Sequence, residues 1–125
     1  MTWRERLRRV VASQSEFDAG EEKVEAERQG TVPVARCRAR QRVCLSGVIR
    51  SVTYAPARQA PELVAELYDG SGSVDLVWLG RREIPGIVPG CRLKVEGMLC
   101  RTAPGQPRPA IYNPSYRILP QRAAS

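Results

Sequence analysis

The chain has 125 residues, 42% of them apolar, and a formal net charge of +7. This length suits one domain plus a short extension, because domains usually run to roughly 100–150 residues. No run approaches the roughly 18 apolar residues of a membrane span, and the charged N-terminus lacks the apolar region of a secretory signal. We therefore expect a cytoplasmic protein that does not enter a membrane.

The positive charge is confined to one part of the chain. Residues 1–30 carry six Lys/Arg and seven Asp/Glu, whereas residues 31–125 carry fourteen and six, a net charge of +8. A basic domain favours a polyanionic partner such as nucleic acid. Eighteen of the twenty cations are arginine. Because GC-rich coding produces the same bias, composition alone leaves both explanations open.

Residues 1–30 are predicted to form an N-terminal extension. Helical spacing predicts a short helix over 3–12, which carries the apolar residues Leu7, Val10 and Val11. Residues 13–29 are polar and Glu-rich, which is typical of a second weak helix or a mobile arm. The apolar stripe of the first helix would dock onto the remaining domain or recruit a protein partner.

Residues 31–120 alternate between apolar and polar side chains with the period of a β-strand. The pattern predicts five strands, over residues 41–54, 62–68, 73–79, 91–101 and 108–119. An Asp-Gly-Ser-Gly segment between the second and third strands predicts a tight hairpin, because Gly supplies positive φ. Two prolines in the link 80–90 leave room for at most one helical turn. Residues 121–125 are predicted to form a disordered tail.

Four residues indicate how these strands would coil. Gly47 and Gly97 lie mid-strand on the inner register, which indicates a bend, a bulge or a close backbone approach. Pro114 has no N–H to donate, so we expect it at a bulge or an unpaired edge of the last strand. Trp78 shares the register of the apolar residues in its strand, which favours core packing. Five strands with a tight second hairpin are typical of a small Greek-key barrel.

Four segments of the chain carry a resemblance to a known family. They are QRVCLSGVI at 41–49, LYDGSGSV at 67–74, VPGCRLKVEG at 88–97 and YNPSY at 112–116. In this order they resemble the anticodon-binding-type OB-fold family. The last segment is similar to the Asn/His-Pro-x-Tyr element in the wedge domain of bacterial branch-migration helicases.

The resemblance covers about residues 40–119. It implies an all-β, five-stranded Greek-key OB-fold barrel, here with a short N-terminal helical extension. It also implies binding of single-stranded or branched nucleic acid across the barrel face. The chain has no helicase motor, so unwinding is not implied. Leu79 stands near the position where the wedge branch has an aromatic residue.

Binding of single strands needs cations that follow the phosphates and flat side chains that stack on bases. Alternation places Arg50, Tyr54 and Tyr68 on the outward register, and the other candidates lie in or beside loops. The predicted nucleic-acid-binding residues are Arg50, Tyr54, Arg58, Tyr68, Arg81, Arg82, Arg101, Arg108 and Tyr112. Structural roles compete with binding: Tyr68 would cover the barrel edge, and either Tyr112 or Tyr116 would cap the barrel. Arg42 would pair with Glu96 if the first and fourth strands are neighbours.

No metal, cofactor or catalytic site is predicted. The four cysteines are separated by six, forty-six and eight residues, unlike the paired knuckles of a structural zinc site, and the chain has no histidine. A reducing cytosol disfavours disulfides. The carboxylates of Asp69 and Asp75 flank a hairpin, where such groups ordinarily form turns or face solvent.

The sequence therefore predicts a non-enzymatic OB-fold protein that binds single-stranded or forked DNA, with a role in replication, recombination or repair. Two alternatives stay open. One is a protein-interaction module that uses the barrel and the N-terminal helix, since fold does not fix function. The other is an RNA- or tRNA-binding domain, since the choice between RNA and DNA depends on contacts to the 2′-hydroxyl.

Overall fold

The structure, a computed structural model, describes residues 30–101 and 108–120. These residues are mostly β, with one short 3₁₀ turn at Val34–Arg36. The strands are β1 (Arg42–Tyr54), β2 (Glu62–Tyr68), β3 (Ser73–Leu79), β4 (Arg92–Cys100), β5 (Ala110–Tyr112) and β6 (Ser115–Leu119). They agree with the five predicted strands, except that the fifth is divided into β5 and β6. The predicted N-terminal helix and arm and the predicted tail lie outside the described residues.

Five of the strands form a closed ring. The first half of β1 pairs with β4, and its second half pairs with β2. The sheet continues from β2 to β3, from β3 to β5 in parallel, and from β5 to β4, which returns it to β1. β6 pairs with residues 92–96 of β4, on the edge opposite the one that pairs with β1. The apolar residues of the inner register are almost completely buried inside this ring, among them Leu45, Leu67, Leu76, Leu93 and Ile111.

The ring shape depends on two glycines and one proline. A Cβ at Gly47 would clash with the backbone carbonyl of Tyr68, and one at Gly97 would lie 2.6 Å from Ile111 Cγ2. Of the predicted alternatives, a close backbone approach is confirmed at Gly47, whereas the close neighbour of Gly97 is a side chain. Pro114 falls between β5 and β6, after Asn113 with its positive φ of 50°. The prediction that Pro114 interrupts the last strand is also confirmed.

A β-bulge in β1 changes which residues face outward. Ile49 pairs with Leu67, but Ser51 pairs with Glu66, so Arg50 is the extra residue of the bulge. A bulge shifts the alternation by one residue. Beyond it, Tyr54 pairs with the buried Leu63. The prediction that Tyr54 stands on the outward register is therefore wrong.

The segment before β1 is tied to the far hairpin by Asp69. This carboxylate is only 1% exposed. Its Oδ2 accepts a hydrogen bond from Val34 N at 2.7 Å, and its Oδ1 accepts from Ser71 N, Ser71 Oγ and Gly72 N. Asp69 thus forms the predicted turn and also fixes the 3₁₀ turn against the β2–β3 hairpin.

The link between β3 and β4 is irregular and forms no helix over residues 80–90. This agrees with the prediction that its two prolines leave room for at most one helical turn. The link places Ile84 and Ile87 in the core, and Ile87 N donates a hydrogen bond to Ile84 O. The link and the β1–β2 loop lie near each other, because Gly80 N donates to Pro61 O at 2.9 Å.

No helix in the described part of the chain is long and apolar enough to cross a membrane.

Candidate nucleic-acid interface

The outer face of β1, β2 and β3 brings three of the predicted binding residues together. The guanidinium of Arg50 lies 4.5 Å from the centroid of the Tyr68 ring, in a cation–π stack. Arg108, which precedes β5, lies on the same face because it contacts residues of β2 and β3. The bulge at Arg50 and the outward register of Tyr68 create this grouping.

Two carboxylates in the same place were not predicted as part of the site. Arg108 Nε donates to Asp75 Oδ1 at 3.0 Å, and Arg108 Nη1 lies 3.4 Å from Glu66 Oε1. Glu66 Oε2 accepts from Ser73 Oγ at 2.7 Å and lies 3.9 Å from Arg50 Nη1. Two cations therefore face two anions, so this cluster contributes no net positive charge to the face.

The cluster is partly desolvated, which affects its titration. Burial raises the pKa of Asp75 above its ordinary value, and the charge of Glu66 adds to this rise. The ion pair and hydrogen bond with Arg108 act in the opposite direction on the pKa of Asp75, but they do not outweigh burial.

An apolar and aromatic row lies beside this cluster. Thr53, Val64, Val77 and Tyr112 are successive cross-strand partners on the outer face of β1, β2, β3 and β5. Tyr112 is 48% exposed, whereas Val77 is buried although it faces away from the ring interior. The row lies between the β1–β2 loop at one end of the strands and the start of β5 at the other. A flat ring such as that of Tyr112 is suited to stack on a base.

Three predicted arginines lie around the β1–β2 loop. Arg82 Nη2 donates to Ala57 O at 3.3 Å and to Gln59 O at 3.2 Å, so it holds this loop against the β3–β4 link. Arg58, within the loop, and Arg81, directly after β3, are both exposed. Through these two hydrogen bonds from Nη2, Arg82 positions the loop.

The remaining candidates lie apart from these groups. Tyr54 is exposed at the end of β1, and Arg101 is exposed directly after β4.

Tyr116 packs edge-on against the buried Trp78, with ring centroids 5.7 Å apart. Trp78 Nε1 also donates to Pro114 O at 3.3 Å. The predicted core position of Trp78 is confirmed, and Tyr116 covers it.

One set of cations was missed by the sequence prediction. Arginine occupies every second position in Arg36-Cys37-Arg38-Ala39-Arg40-Gln41-Arg42, and all four arginines are exposed. The alternation was visible in the sequence, but it was counted only within the overall composition. The predicted Arg42–Glu96 pair is confirmed at 3.3 Å, with both side chains more than half exposed. Such an exposed pair contributes about 0.2–1 kcal/mol.

Within residues 30–101 and 108–120, no three His, Cys, Asp or Glu side chains are grouped to hold a metal ion. Burial raises the pKa of Cys37, with a further contribution from the charge of Asp69, and burial raises the pKa of Cys91. A raised pKa keeps these thiols protonated at neutral pH, and the protonated form is a poor nucleophile and metal ligand.

No protein-family model matches this chain, and no curated protein matches it.

Proposed function

We propose that this chain is a non-enzymatic OB-fold protein that binds single-stranded or forked DNA across the outer face of β2 and β3. The observation that carries the proposal is the closed ring of five strands in the order β1-β2-β3-β5-β4, in which β4 also pairs with β1. OB-folds are five-stranded Greek-key barrels that bind oligonucleotides on the face of strands 2 and 3 and on the loops after strands 1 and 4.

The chemistry of that face supports a single-stranded ligand. Within the row from Thr53 to Tyr112, the exposed Tyr112 offers its ring to the bases, and the half-buried Val64 offers a smaller apolar surface. Arg58 and Arg81 flank it at the β1–β2 loop, and Arg101 lies at the start of the β4–β5 loop. Cations at both ends and an aromatic residue between them suit a strand whose phosphates and bases are bound separately.

The cluster of Arg50, Tyr68, Glu66, Asp75 and Arg108 has a more limited part in this proposal. Its cations are already paired with carboxylates, so a strand would gain little from them without displacing those carboxylates. We assign the phosphate contacts chiefly to the arginines of the two loops. The stacking contact is assigned to Tyr112, which is worth about 1–3 kcal/mol per base.

Fluorescence anisotropy with labelled probes tests the proposal. The probes are single-stranded DNA, a forked DNA, a duplex and single-stranded RNA of matched sequence, each at about 50 mM and about 200 mM salt. We expect tighter binding of the single strand or the fork than of the duplex, and weaker binding at the higher salt concentration. Equal affinity for duplex and single strand, or no binding at low salt, would contradict the proposal. Tighter binding of RNA than of DNA would identify RNA as the ligand.

A matched pair of variants locates the contact. Tyr112→Ala removes the proposed stacking ring, and Tyr116→Ala removes the exposed tyrosine that packs on Trp78. We expect Tyr112→Ala to weaken single-strand binding about fivefold or more, from the stacking energy of about 1–3 kcal/mol. Tyr116→Ala should lower stability with little change in affinity. The reverse pattern would place the binding face elsewhere.

A further inference from the structure

The four arginines Arg36, Arg38, Arg40 and Arg42, which we call the arginine run, form a concentrated positive charge outside the face described above. They occupy every second position of a seven-residue segment, so the Cα atoms of successive arginines are at most about 7 Å apart. Only Arg42 of the four forms an ion pair within the described residues, with Glu96. The other three add positive charge that no described carboxylate offsets.

The backbone of the run is held in place at one end of the ring. Arg40 N donates to Leu99 O at 2.6 Å, and Leu99 N donates to Gln41 O at 2.9 Å. Cys37 N donates to Val34 O at 3.1 Å, which connects the run to the 3₁₀ turn fixed by Asp69. The run therefore lies beside the end of β4, where Arg101 begins the β4–β5 loop.

Arg40 has a backbone conformation that Gly or Asn adopts more easily than Arg. Its φ is +67°, in the left-handed region where Gly and Asn are at ease and other side chains are strained. The hydrogen bonds from Arg40 N to Leu99 O and from Leu99 N to Gln41 O hold the turn in this conformation. Strain of this kind often persists where a side chain serves a function.

We propose that the arginine run binds the phosphate backbone of nucleic acid and extends the interface beyond the β4–β5 loop. This inference rests on the proposed function, because it concerns the same ligand. The partner is a strand, or the arm of a fork, longer than the face of β2 and β3 can cover. Arginine suits this role because its planar guanidinium donates two parallel hydrogen bonds to a phosphate.

The length of the bound strand provides the test. We compare oligo(dT) of about 6 nucleotides with oligo(dT) of about 24, because OB-folds cover about 4–16 nucleotides. The triple variant Arg36→Gln/Arg38→Gln/Arg40→Gln should bind the short probe as the wild type does. It should bind the long probe about tenfold or more weakly at about 0.1 M salt, with a salt slope smaller by about 2, from about 0.7 for each lost phosphate contact.

Arg117→Gln is the matched control, because Arg117 is an exposed arginine on β6 beside Lys94, away from both loops. It should retain the wild-type preference for the long probe. A triple variant that also retains this preference overturns the inference while leaving the proposed function intact. A wild-type protein that binds neither probe overturns the proposed function itself.

Arg40→Asn separates binding from folding. Asn adopts positive φ readily, so the thermal midpoint of this variant should equal or exceed that of the wild type. Its affinity for the long probe should fall severalfold, because one cation is lost. An unchanged affinity for the long probe would contradict a role for Arg40 in binding.

Discussion

Replacement of Asp69 tests whether the segment before β1 is part of the folded ring. Asp69→Ala removes the acceptor of four hydrogen bonds and leaves Val34 N–H buried without a partner. A hydrogen bond to a charged group contributes about 1.5–3 kcal/mol, and the three bonds within the turn are partly replaced by water. We therefore expect a loss of about 3–5 kcal/mol, a large part of the roughly 5–15 kcal/mol that stabilises a domain.

Asp69→Asn refines this prediction. An amide keeps one oxygen, which can still accept the three bonds from Ser71 and Gly72 at the Oδ1 position. The NH₂ group then faces Val34 N–H, so two donors meet. The expected cost is about 2 kcal/mol, the loss of one bond to a charged acceptor.

Urea unfolding followed by tryptophan fluorescence measures both variants. The expected order of stability is wild type, then Asp69→Asn, then Asp69→Ala, with similar dependence on urea concentration. A loss below about 1 kcal/mol for Asp69→Ala would refute the reasoning, because it would mean that Val34 N–H finds another acceptor at no cost. Equal losses for the two variants would refute the separate assignment of the two oxygens.

Three further predictions concern the ring and the site. Gly47→Ala should lower the free energy of unfolding by about 3 kcal/mol or more in urea, because its Cβ meets the rigid Tyr68 carbonyl. Asp75→Asn should leave stability at neutral pH equal to or above that of the wild type, since the raised pKa means that ionised Asp75 disfavours the folded state. That difference should shrink in unfolding experiments as the pH falls below about 4, where the wild-type carboxyl is protonated in both states. Arg82→Gln should weaken single-strand binding through the β1–β2 loop without changing the salt slope, whereas Arg81→Gln should reduce the slope by about 0.7.

Much of the fold was predictable because it depends on local patterns. The alternation of apolar and polar residues predicted the strand ends to within one or two residues. The glycines on the inner register marked the close approaches at Gly47 and Gly97. The Arg42–Glu96 pair was predicted on the condition that β1 and β4 are neighbours, and the structure shows both the neighbouring strands and the pair. The strand positions follow from the period of a strand, and the close approaches follow from the missing side chain of Gly.

The β1 bulge could not be predicted in the same way. Val52 follows Ile49 by three residues and packs against the core, so it breaks the alternation, but Arg50 and Ser51 are both polar and the sequence does not show which of them is the extra residue. The shift moved Tyr54 to the inner register, which contradicts its predicted orientation. Only the pairing with β2 reveals where the extra residue lies.

The charge balance of the site also depended on long-range contacts. Arg108 and Asp75 are 33 residues apart, and the parallel pairing of β3 with β5 brings them together. The sequence identified the arginines as candidates but not the carboxylates that pair with them. The arginine run was a local pattern that overall composition concealed.

The most direct test of the central claim is a ¹⁵N–¹H NMR titration with single-stranded DNA. We predict the largest amide shifts at Val64, Val77 and Tyr112 and in the β1–β2 loop, with small shifts at Lys94 and Arg117 on the β4–β6 face. Shifts confined to the β4–β6 face, or no shifts on addition of DNA at low salt, would contradict binding across β2 and β3.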